Sequence, residues 1–342
     1  MKLCVGTAKG IVILDAERRG TPLLALADPS SVWCMAQDCR DPGVIYAGAV
    51  DHAHMGAARG KGTLARSVDG GRTWADITPG LARTEDVWAV ATAPDAPGEL
   101  FIGTSHARLL HSRDHGRSFR ECSSFLKLPG RDRWSFPPPP HIPHVRAIEF
   151  DPREPATIYI GIEEGGVARS RDRGESFELL NNAIYEDVHC LAVDPQNPRR
   201  LYATTGNGFY LSENRGGSWR QSKRGLTRTY TVPLFVAPGE PQEIYTAAAA
   251  GPPPFWSAGP AGADALIFHS VDYGMSFAPL GAEGPIMPER SMVMRFRRDP
   301  ENDGGFFAVT TDGSVIRVQP HGAGARVVAR HLPSAYDLAP LP

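Results

Sequence analysis

The sequence predicts an all-β fold, a seven-bladed β-propeller of four-stranded antiparallel blades, with six blades as the alternative. Two observations predict this fold. A short polar turn motif occurs five times along the 342 residues, and an apolar strand pattern occurs six times in step with it. Repetition at a period of about 20 to 50 residues is typical of solenoids and propellers, in which each repeat is one supersecondary unit.

The turn motif reads Ser, any residue, Asp or Asn, any residue, Gly, any residue, Ser or Thr, and finally Trp or Phe. Its carboxylate or amide accepts hydrogen bonds from the backbone of a tight turn, and its glycine suits a positive φ. The aromatic residue is expected to pack between neighbouring sheets. The motif therefore predicts a structural hairpin turn. Its five Asp or Asn residues are Asp69, Asp114, Asp172, Asn214 and Asp272.

Five copies in register, the first at residues 67–74 and the last at 270–277, resemble the Asp box. This motif, also called the BNR repeat, occurs in sialidases, sortilin-type propellers, xyloglucan hydrolases and a photosystem assembly factor. The resemblance implies a propeller with the boxes on peripheral turns, away from the functional face. It implies no single activity, because the group contains both enzymes and scaffolds. The Arg-Ile-Pro signature that usually opens sialidases is absent, which argues against a typical sialidase.

The apolar pattern predicts the innermost strand of each blade. A Pro-containing turn, a second strand and the two strands that flank the box complete four strands per blade. Residues 335–339 look like one more innermost strand, and residues 3–7 match a second strand. We therefore expect the termini to form the last blade together, which removes unpaired edges. The predicted blades of this single domain are 31–80, 86–124, 144–182, 187–224, 230–281, 291–331, and 335–342 joined with 1–27.

Composition excludes several classes of function. A net charge of −2 offers no basic excess for nucleic acid or anionic lipid, and no apolar run reaches the roughly 18 residues of a membrane span. The amino terminus resembles a strand rather than a signal peptide, which favours the cytoplasm. Five cysteines without a CxxC pair argue against a disulfide framework or a thiolate zinc site. The expected partner is a small molecule or glycan, with a protein partner as the alternative.

The long insertions all fall on the face opposite the boxes. Long loops on one face of a rigid scaffold commonly carry binding and chemistry. Two tryptophans in Pro-rich loops and several arginines and aromatics near the inner strands are therefore candidates for ligand binding. For Arg146, an ion pair with Asp187 or a neighbouring glutamate is an equally good interpretation. The ligand-binding candidates are Trp134, Arg146, Arg228, Tyr230, Trp256 and Arg290.

Histidines and carboxylates gather near the starts of the inner strands. His144 precedes the inner strand of the third blade, and Glu163 and Glu164 form the turn at the far end of its neighbour. Asp187 and His189 enter the next blade. Antiparallel pairing brings the two ends together, so we expect His144 to lie beside Glu163 or Glu164. These five residues are the candidate catalytic residues.

Imidazole nitrogens and carboxylate oxygens also bind Zn²⁺, Mn²⁺ and Fe²⁺. One divalent metal is therefore a candidate cofactor, and the alternatives are histidines that act in acid–base chemistry or have only structural roles. The candidate metal ligands are His52, His54, His141, His144, Glu163 and His189.

The preferred hypothesis is a cytoplasmic hydrolase or lyase, metal-assisted or metal-free, that acts on a small molecule or glycan. A glycosidase requires two carboxylates about 5 to 10 Å apart. Glu163, Glu164, Asp187 and Glu289 are the candidates for that pair. The opposing hypothesis is a non-catalytic scaffold that binds a protein through the same loops.

Overall fold

The described residues form seven four-stranded sheets, and consecutive strands lie side by side in each, except that the last strand of the chain pairs with the first. The computed structural model describes residues 1–18, 20–27, 31–50, 63–78, 85–239, 242–253, 256, 262–281, 286–287 and 290–341. The seven sheets are the antiparallel blades of a seven-bladed β-propeller, as predicted, and the alternative of six blades is wrong. No helix among the described residues is long and apolar enough to cross a membrane.

The chain divides into two compact units. The first consists of Met1–Asn181, Glu186–Val188 and Asp337–Pro342, and the second of Asn182–Tyr185 and His189–Tyr336. The sheets of the first unit contain β1 (Lys2–Thr7), β2 (Gly10–Asp15), β3 (Leu23–Leu26), β4 (Val32–Gln37), β5 (Ile45–Ala49), β6 (Leu64–Ser67), β7 (Ala75–Asp76), β8 (Val87–Thr92), β9 (Leu100–Thr104), β10 (Leu109–Ser112), β11 (Arg120–Glu121), β12 (Val145–Phe150), β13 (Ile158–Ile162), β14 (Gly166–Ser170) and β15 (Glu178–Leu179).

Three sheets belong to the second unit, and the last strand of the chain joins the sheet of the first strands. These strands are β16 (Val188–Val193), β17 (Leu201–Thr205), β18 (Gly208–Ser212), β19 (Arg220–Ser222), β20 (Tyr230–Val236), β21 (Ile244–Ala249), β22 (Leu266–Ser270), β23 (Ala278–Pro279), β24 (Val293–Arg298), β25 (Phe306–Thr310), β26 (Val315–Val318), β27 (Ala325–Ala329) and β28 (Ala335–Leu341). Short 3-10 turns occur at Phe125–Lys127, Arg131–Arg133 and Pro320–Gly322.

The last blade contains both termini, in the order β28-β1-β2-β3. The buried carboxylate of Asp337 accepts a hydrogen bond from the backbone N–H of Met35 at 2.8 Å. The side-chain amide of Gln37 donates to the carbonyl of Pro340, also at 2.8 Å. These bonds join β28 to β4, the inner strand of the next blade, and the predicted pairing of the termini is confirmed.

The Asp boxes form the hairpin turns that the sequence predicts. In the first box, Asp69 Oδ1 accepts the backbone N–H of Thr73 at 2.9 Å, and Asp69 Oδ2 accepts its hydroxyl at 2.6 Å. Ser67 Oγ accepts the N–H of Gly71 at 2.8 Å. Gly71 has a φ of +78°, a conformation that a side chain would strain. The same bonds recur at Asp172, so the boxes satisfy turn groups with their own side chains.

Five of the innermost strands have a β-bulge near their first residue. The pairing register shifts between Val32 and Cys34 in β4, between Val87 and Ala89 in β8, and at Val145 in β12. Strands β20 and β24 carry shifts at the corresponding place. A bulge bends its strand and changes the direction of the side chain beside it, and bulges are frequent next to functional sites.

The second strand of six blades is buried along its whole length, as in β9 and β13, and in the last blade Lys2 of β1 is exposed while the rest of the strand is buried. Apolar side chains from adjacent blades fill the space beside these strands. Phe101 and Phe125 belong to one such cluster in the first unit, and both are fully buried. This packing fixes the inner strands, and therefore the side chains at their first residues.

Candidate functional site

Three bulged residues of the first unit meet at the starts of their inner strands. The indole rings of Trp33 and Trp88 lie 5.0 Å apart between centroids. The guanidinium carbon of Arg146 lies 5.2 Å from the Trp33 ring centre and 5.5 Å from that of Trp88. These distances are those of cation–π contacts. The bulges thus build a cluster of two indoles and one cation, in which Trp33 is partly exposed and Trp88 is buried.

Glu163 places a carboxylate beside this cation. Its Oε2 lies 2.7 Å from Nε2 of His144 and 3.4 Å from Nε of Arg146. All three side chains are buried. A buried carboxylate requires compensation by hydrogen bonds and opposite charge, and here both are supplied. The prediction that His144 neighbours Glu163 or Glu164 is confirmed for Glu163. The ion pair of Arg146 with a neighbouring glutamate is confirmed as well.

Aromatic rings fix the orientation of His144. Its imidazole stacks on Trp88, with 4.1 Å between centroids, and meets the edge of Phe136 at 4.8 Å. Because an ionised carboxylate only accepts hydrogen bonds, Nε2 is the nitrogen that donates to Glu163. His144 therefore serves as a rigid donor to Glu163.

Glu163 and Glu164 occupy the two central positions of the turn between β13 and β14. The N–H of Gly165 donates to the carbonyl of Ile162 at 3.1 Å and closes this turn. Glu164 has a φ of +51°, a left-handed conformation that costs energy for a residue with a side chain. The turn thus directs two consecutive carboxylates to different surroundings: Glu163 is buried, and Glu164 is partly exposed.

Burial raises the pKa of the Glu164 carboxyl above its ordinary value. A hydrogen bond from Ser135 and the charge of His141 act in the opposite direction, and the negative charges of Asp187 and Glu163 add to the rise. A raised pKa favours the protonated form of a carboxyl group, and a general acid must be protonated to act. The negative charge of the buried Asp187 is one of the causes of this rise.

The segment that carries Asp187 is bonded to the same turn. The carbonyl of Glu186 accepts the N–H of Gly165 at 3.0 Å and the N–H of Gly166 at 2.8 Å. Asp187 directly follows Glu186 and is buried. Two backbone hydrogen bonds thus fix the position of Asp187 relative to Glu164.

The other predicted residues of the first unit have different surroundings. His141 is exposed, and its Nδ1 donates to the carbonyl of Phe136 at 2.8 Å. Trp134 is buried and packs on Phe125, with ring centroids 5.6 Å apart. Little of the Trp134 ring is therefore accessible to a ligand. His52, His54 and Glu289 lie outside the described residues.

In the second unit, His189, Tyr230 and Trp256 form a chain of rings. The centroids of His189 and Tyr230 are 4.8 Å apart, and those of Tyr230 and Trp256 are 6.0 Å apart. Nδ1 of His189 lies 2.6 Å from the carbonyl of Thr231, which can only accept, so Nδ1 carries the proton. This places the lone pair on Nε2, which is the tautomer of a metal-binding histidine with a backbone partner.

The two remaining arginine candidates are held differently. Arg228 donates through Nη2 to the carboxylate of Asp264 at 2.8 Å and through Nε to its carbonyl at 2.9 Å. Arg290 is exposed. Arg228 is therefore already engaged by a carboxylate, whereas Arg290 presents its side chain to solvent.

Sequence reasoning missed Ser135, Phe136 and Asn181. Ser135 hydrogen-bonds to Glu164, the ring of Phe136 packs against His144, and Asn181 donates to the carbonyl of Gly165. It also missed the contact of Trp33 and Trp88 with Arg146. The signal for that contact was present, because all three residues follow the first valine of an inner strand. Superposing the repeats residue by residue would have placed the three side chains at equivalent positions.

Comparison with known proteins identifies relatives of two kinds. No family model matches the chain. A xyloglucanase of Hypocrea jecorina (strain QM6a) is 25% identical over 287 residues, which is 82% of this chain and 29% of the relative. Among solved structures, the GH74 xyloglucanase from Xanthomonas campestris has a TM-score of 0.60 at 17% identity, covering 86% of this chain and 45% of that chain.

The second kind is YCF48 bound to D1 peptide, with a TM-score of 0.56 at 14% identity. That match covers 86% of this chain and 81% of YCF48. The chain thus spans less than a third of the Hypocrea xyloglucanase and under half of the Xanthomonas enzyme, but most of YCF48. The likeness to the two solved structures concerns the fold alone.

Proposed function

We propose that this chain, a BNR/Asp-box-like seven-bladed propeller related to GH74 xyloglucanases and Ycf48-like proteins, binds a glycan and hydrolyses a glycosidic bond. One observation carries the proposal. Burial and the negative charge of Asp187 raise the pKa of Glu164, and the two residues lie on segments that are hydrogen-bonded to each other. Two carboxyl groups with different environments are the machinery of most glycoside hydrolases.

In the proposed reaction, Glu164 donates its proton to the glycosidic oxygen as the bond to the anomeric carbon breaks. Asp187 supplies the second carboxylate, which either takes a proton from the attacking water or attacks the anomeric carbon itself. Water provides the new hydroxyl in both cases, so no further reactant is needed. Glu163 has a supporting role, because its carboxylate is already bound by His144 and Arg146.

The cluster of Trp33, Trp88 and Arg146 supports glycan binding beside these carboxylates. The partly exposed indole of Trp33 offers apolar surface that suits the face of a sugar, and the buried side chains of Trp88 and Arg146 hold this ring in place. In the second unit, the partly exposed ring of Trp256 packs on the buried Tyr230 and supplies a second aromatic surface. Binding through these residues is part of the proposal.

A divalent metal is also proposed, with His189 as its most informative candidate ligand. The support is the tautomer of His189, whose proton is held on Nδ1 by the Thr231 carbonyl. Elemental analysis of the purified chain tests this directly. Stoichiometric zinc, manganese or iron that is lost in His189→Ala supports a metal-assisted reaction, and a metal-free, active protein rules it out.

The experiment is to incubate the full chain with xyloglucan oligosaccharides and other neutral β-glucans and to measure new reducing ends. We expect Glu164→Gln and Asp187→Asn each to lower kcat by about 10²- to 10⁴-fold, as for loss of a general acid or base. Glu213→Gln, on an Asp-box turn of the second unit, is the matched control and should retain full activity. The proposal fails if no glycan is hydrolysed, or if the control and the two site variants behave alike.

A second candidate is a scaffold that binds a peptide. The observation that favours it is coverage, because the chain spans 81% of YCF48, which is bound to D1 peptide in its structure, and only 29% of the Hypocrea enzyme. Calorimetric titration of the chain with short peptides and with glycans measures which ligand binds and so distinguishes the two candidate functions. Peptide binding without glycan hydrolysis would favour the scaffold.

A further inference from the structure

The carboxyl groups of Glu164 and Asp187 lie on two separate segments of the first unit. Glu164 is on the turn between β13 and β14, and Asp187 precedes β16. We propose that Asn181 is a positioning residue that locks these two segments together and so fixes the separation of the two carboxyl groups. The inference rests on the proposed hydrolase function and adds to it a residue that does not touch the substrate.

Asn181 bonds to both segments through one side-chain amide. Its Nδ2 donates to the carbonyl of Gly165 at 3.1 Å and to Oε1 of Glu186 at 3.2 Å. Its Oδ1 accepts the N–H of Val167, at the start of β14, at 2.9 Å. One side chain therefore joins the residue after Glu164, the residue before Asp187 and the strand that follows the turn.

Gly166 shows how closely Asn181 is seated. A Cβ built on Gly166 would lie 2.1 Å from Oδ1 of Asn181, far inside van der Waals contact. Gly166 also has a φ of +83°, which favours glycine. The absence of a side chain at Gly166 leaves the space that Asn181 occupies.

The backbone hydrogen bonds from Gly165 and Gly166 to the Glu186 carbonyl also hold the two segments together. With Asn181 in place, the turn and the segment of Asp187 form one hydrogen-bonded unit. The negative charge of Asp187 then remains near Glu164 and contributes to its raised pKa. Loss of the amide would allow the two segments to separate and water to enter between them.

Only an amide fits these three partners. Asn181 needs two N–H donors for the Gly165 carbonyl and Glu186, and one acceptor for the Val167 N–H. An aspartate at this position retains the acceptor but loses the donors, and its charge repels Glu186. Asn181→Asp is therefore more informative than a truncation, because the shape of the side chain is nearly unchanged.

The test measures hydrogen exchange of the Gly165 and Gly166 backbone N–H groups in the full chain, together with kcat and KM for the glycan that the wild type hydrolyses. In Asn181→Ala and Asn181→Asp we expect these two N–H groups, which donate to the Glu186 carbonyl, to exchange faster with solvent. We expect kcat to fall about tenfold to a hundredfold, as small displacements of catalytic groups do, with KM nearly unchanged. Asn182→Ala, which removes a side chain bonded to Gly217, is the control.

Unchanged exchange of the Gly165 and Gly166 N–H groups and an unchanged kcat in both Asn181 variants would overturn the positioning role. Faster exchange in Asn181→Ala, in a protein whose wild type hydrolyses no glycan, would refute the proposed function and leave the positioning role intact. If Asn181→Ala fails to fold, Asn181→Gln provides the same readouts with the amide retained but displaced by one methylene.

Discussion

Nε2 of His144 lies 2.7 Å from Oε2 of Glu163, and neither side chain is open to solvent. The bond joins the residue before β12 to the turn after β13, at the edge of the sheet where β12 begins and β13 ends. Arg146, the second residue of β12, approaches the same oxygen at 3.4 Å. The carboxylate of Glu163 thus links the start of β12 to the turn that follows β13.

The first prediction concerns this bond. His144→Ala removes a buried hydrogen-bond partner and leaves a space against Trp88, while Arg146 still compensates the charge of Glu163. We expect a loss of about 2 to 4 kcal/mol in unfolding free energy, from the lost bond and the cavity together. Urea denaturation measures this loss. Exposed His106→Ala is the control, and an equal effect of the two changes would contradict a structural role for His144.

The second prediction concerns the last blade. Asp337→Ala removes the buried acceptor of the Met35 N–H, and we expect it to cost about 1 to 3 kcal/mol. Deletion of residues 335–342 removes a whole strand and is expected to lower the melting temperature much further. Calorimetry measures both effects. A truncated chain as stable as the wild type would show that β28 is dispensable for the blade.

The third prediction concerns the boxes. Asp172 accepts the backbone N–H and hydroxyl of Ser176 at 2.9 and 2.5 Å. Asp172→Ala should therefore cost about 1 to 2 kcal/mol, as does the loss of a capping side chain. Glycan hydrolysis well below the melting temperature should be unchanged. Asp303→Ala, an exposed surface change, is the control for stability, and a selective loss of hydrolysis in Asp172→Ala would contradict a purely structural box.

The fourth prediction concerns pH and a contact in the second unit. Nδ1 of His321 lies 2.6 Å from Oε1 of Glu243, and this hydrogen bond raises the pKa of His321. Burial opposes ionisation of Glu243, but hydrogen bonds from His321 and Tyr245 outweigh it and lower the Glu243 pKa. The nearby imidazole of His269 is partly buried, and this loss of solvent lowers its pKa.

The stabilisation from His321 is therefore fully present below the ordinary histidine pKa of about 6.5 and is lost as pH rises through its raised pKa. The contribution of Glu243 is present above its ordinary pKa and is lost as pH falls through its lowered pKa. We expect His321→Gln to remove the loss of stability on the alkaline side. Melting temperatures measured across pH, with His331→Gln as the matched control, test this. Identical profiles for wild type and His321→Gln would contradict it.

Much of the fold follows from the sequence because its repeats are local. Each Asp box specifies its own turn through Ser, Asp and Gly residues within eight positions, so five blades can be placed from those residues alone. The inner strands share an apolar pattern that begins with valine in most of them, and this pattern locates the remaining two blades. The sequence also predicts that His144 lies close to Glu163 or Glu164, because antiparallel pairing fixes which strand ends meet.

The rest of the site depends on features that apolar periodicity does not contain. Bulges in β4, β8 and β12 shift the register by one residue and turn Trp33, Trp88 and Arg146 towards one another. Alternation along a strand predicts the two faces but not the position of a bulge. Asn181 was missed because its partners lie on turns, where hydrogen bonds depend on backbone geometry rather than on residue spacing.

The central claim, that Glu164 is the proton donor in glycosidic hydrolysis, is tested most directly by the pH dependence of the hydrolysis rate. Because Glu164 must be protonated to act, the account predicts that kcat/KM falls as pH rises through the raised pKa of Glu164. Glu164→Gln should lower the rate and remove this alkaline fall. Hydrolysis whose alkaline limb is the same in wild type and Glu164→Gln, or an absence of hydrolysis at every pH, would contradict the account.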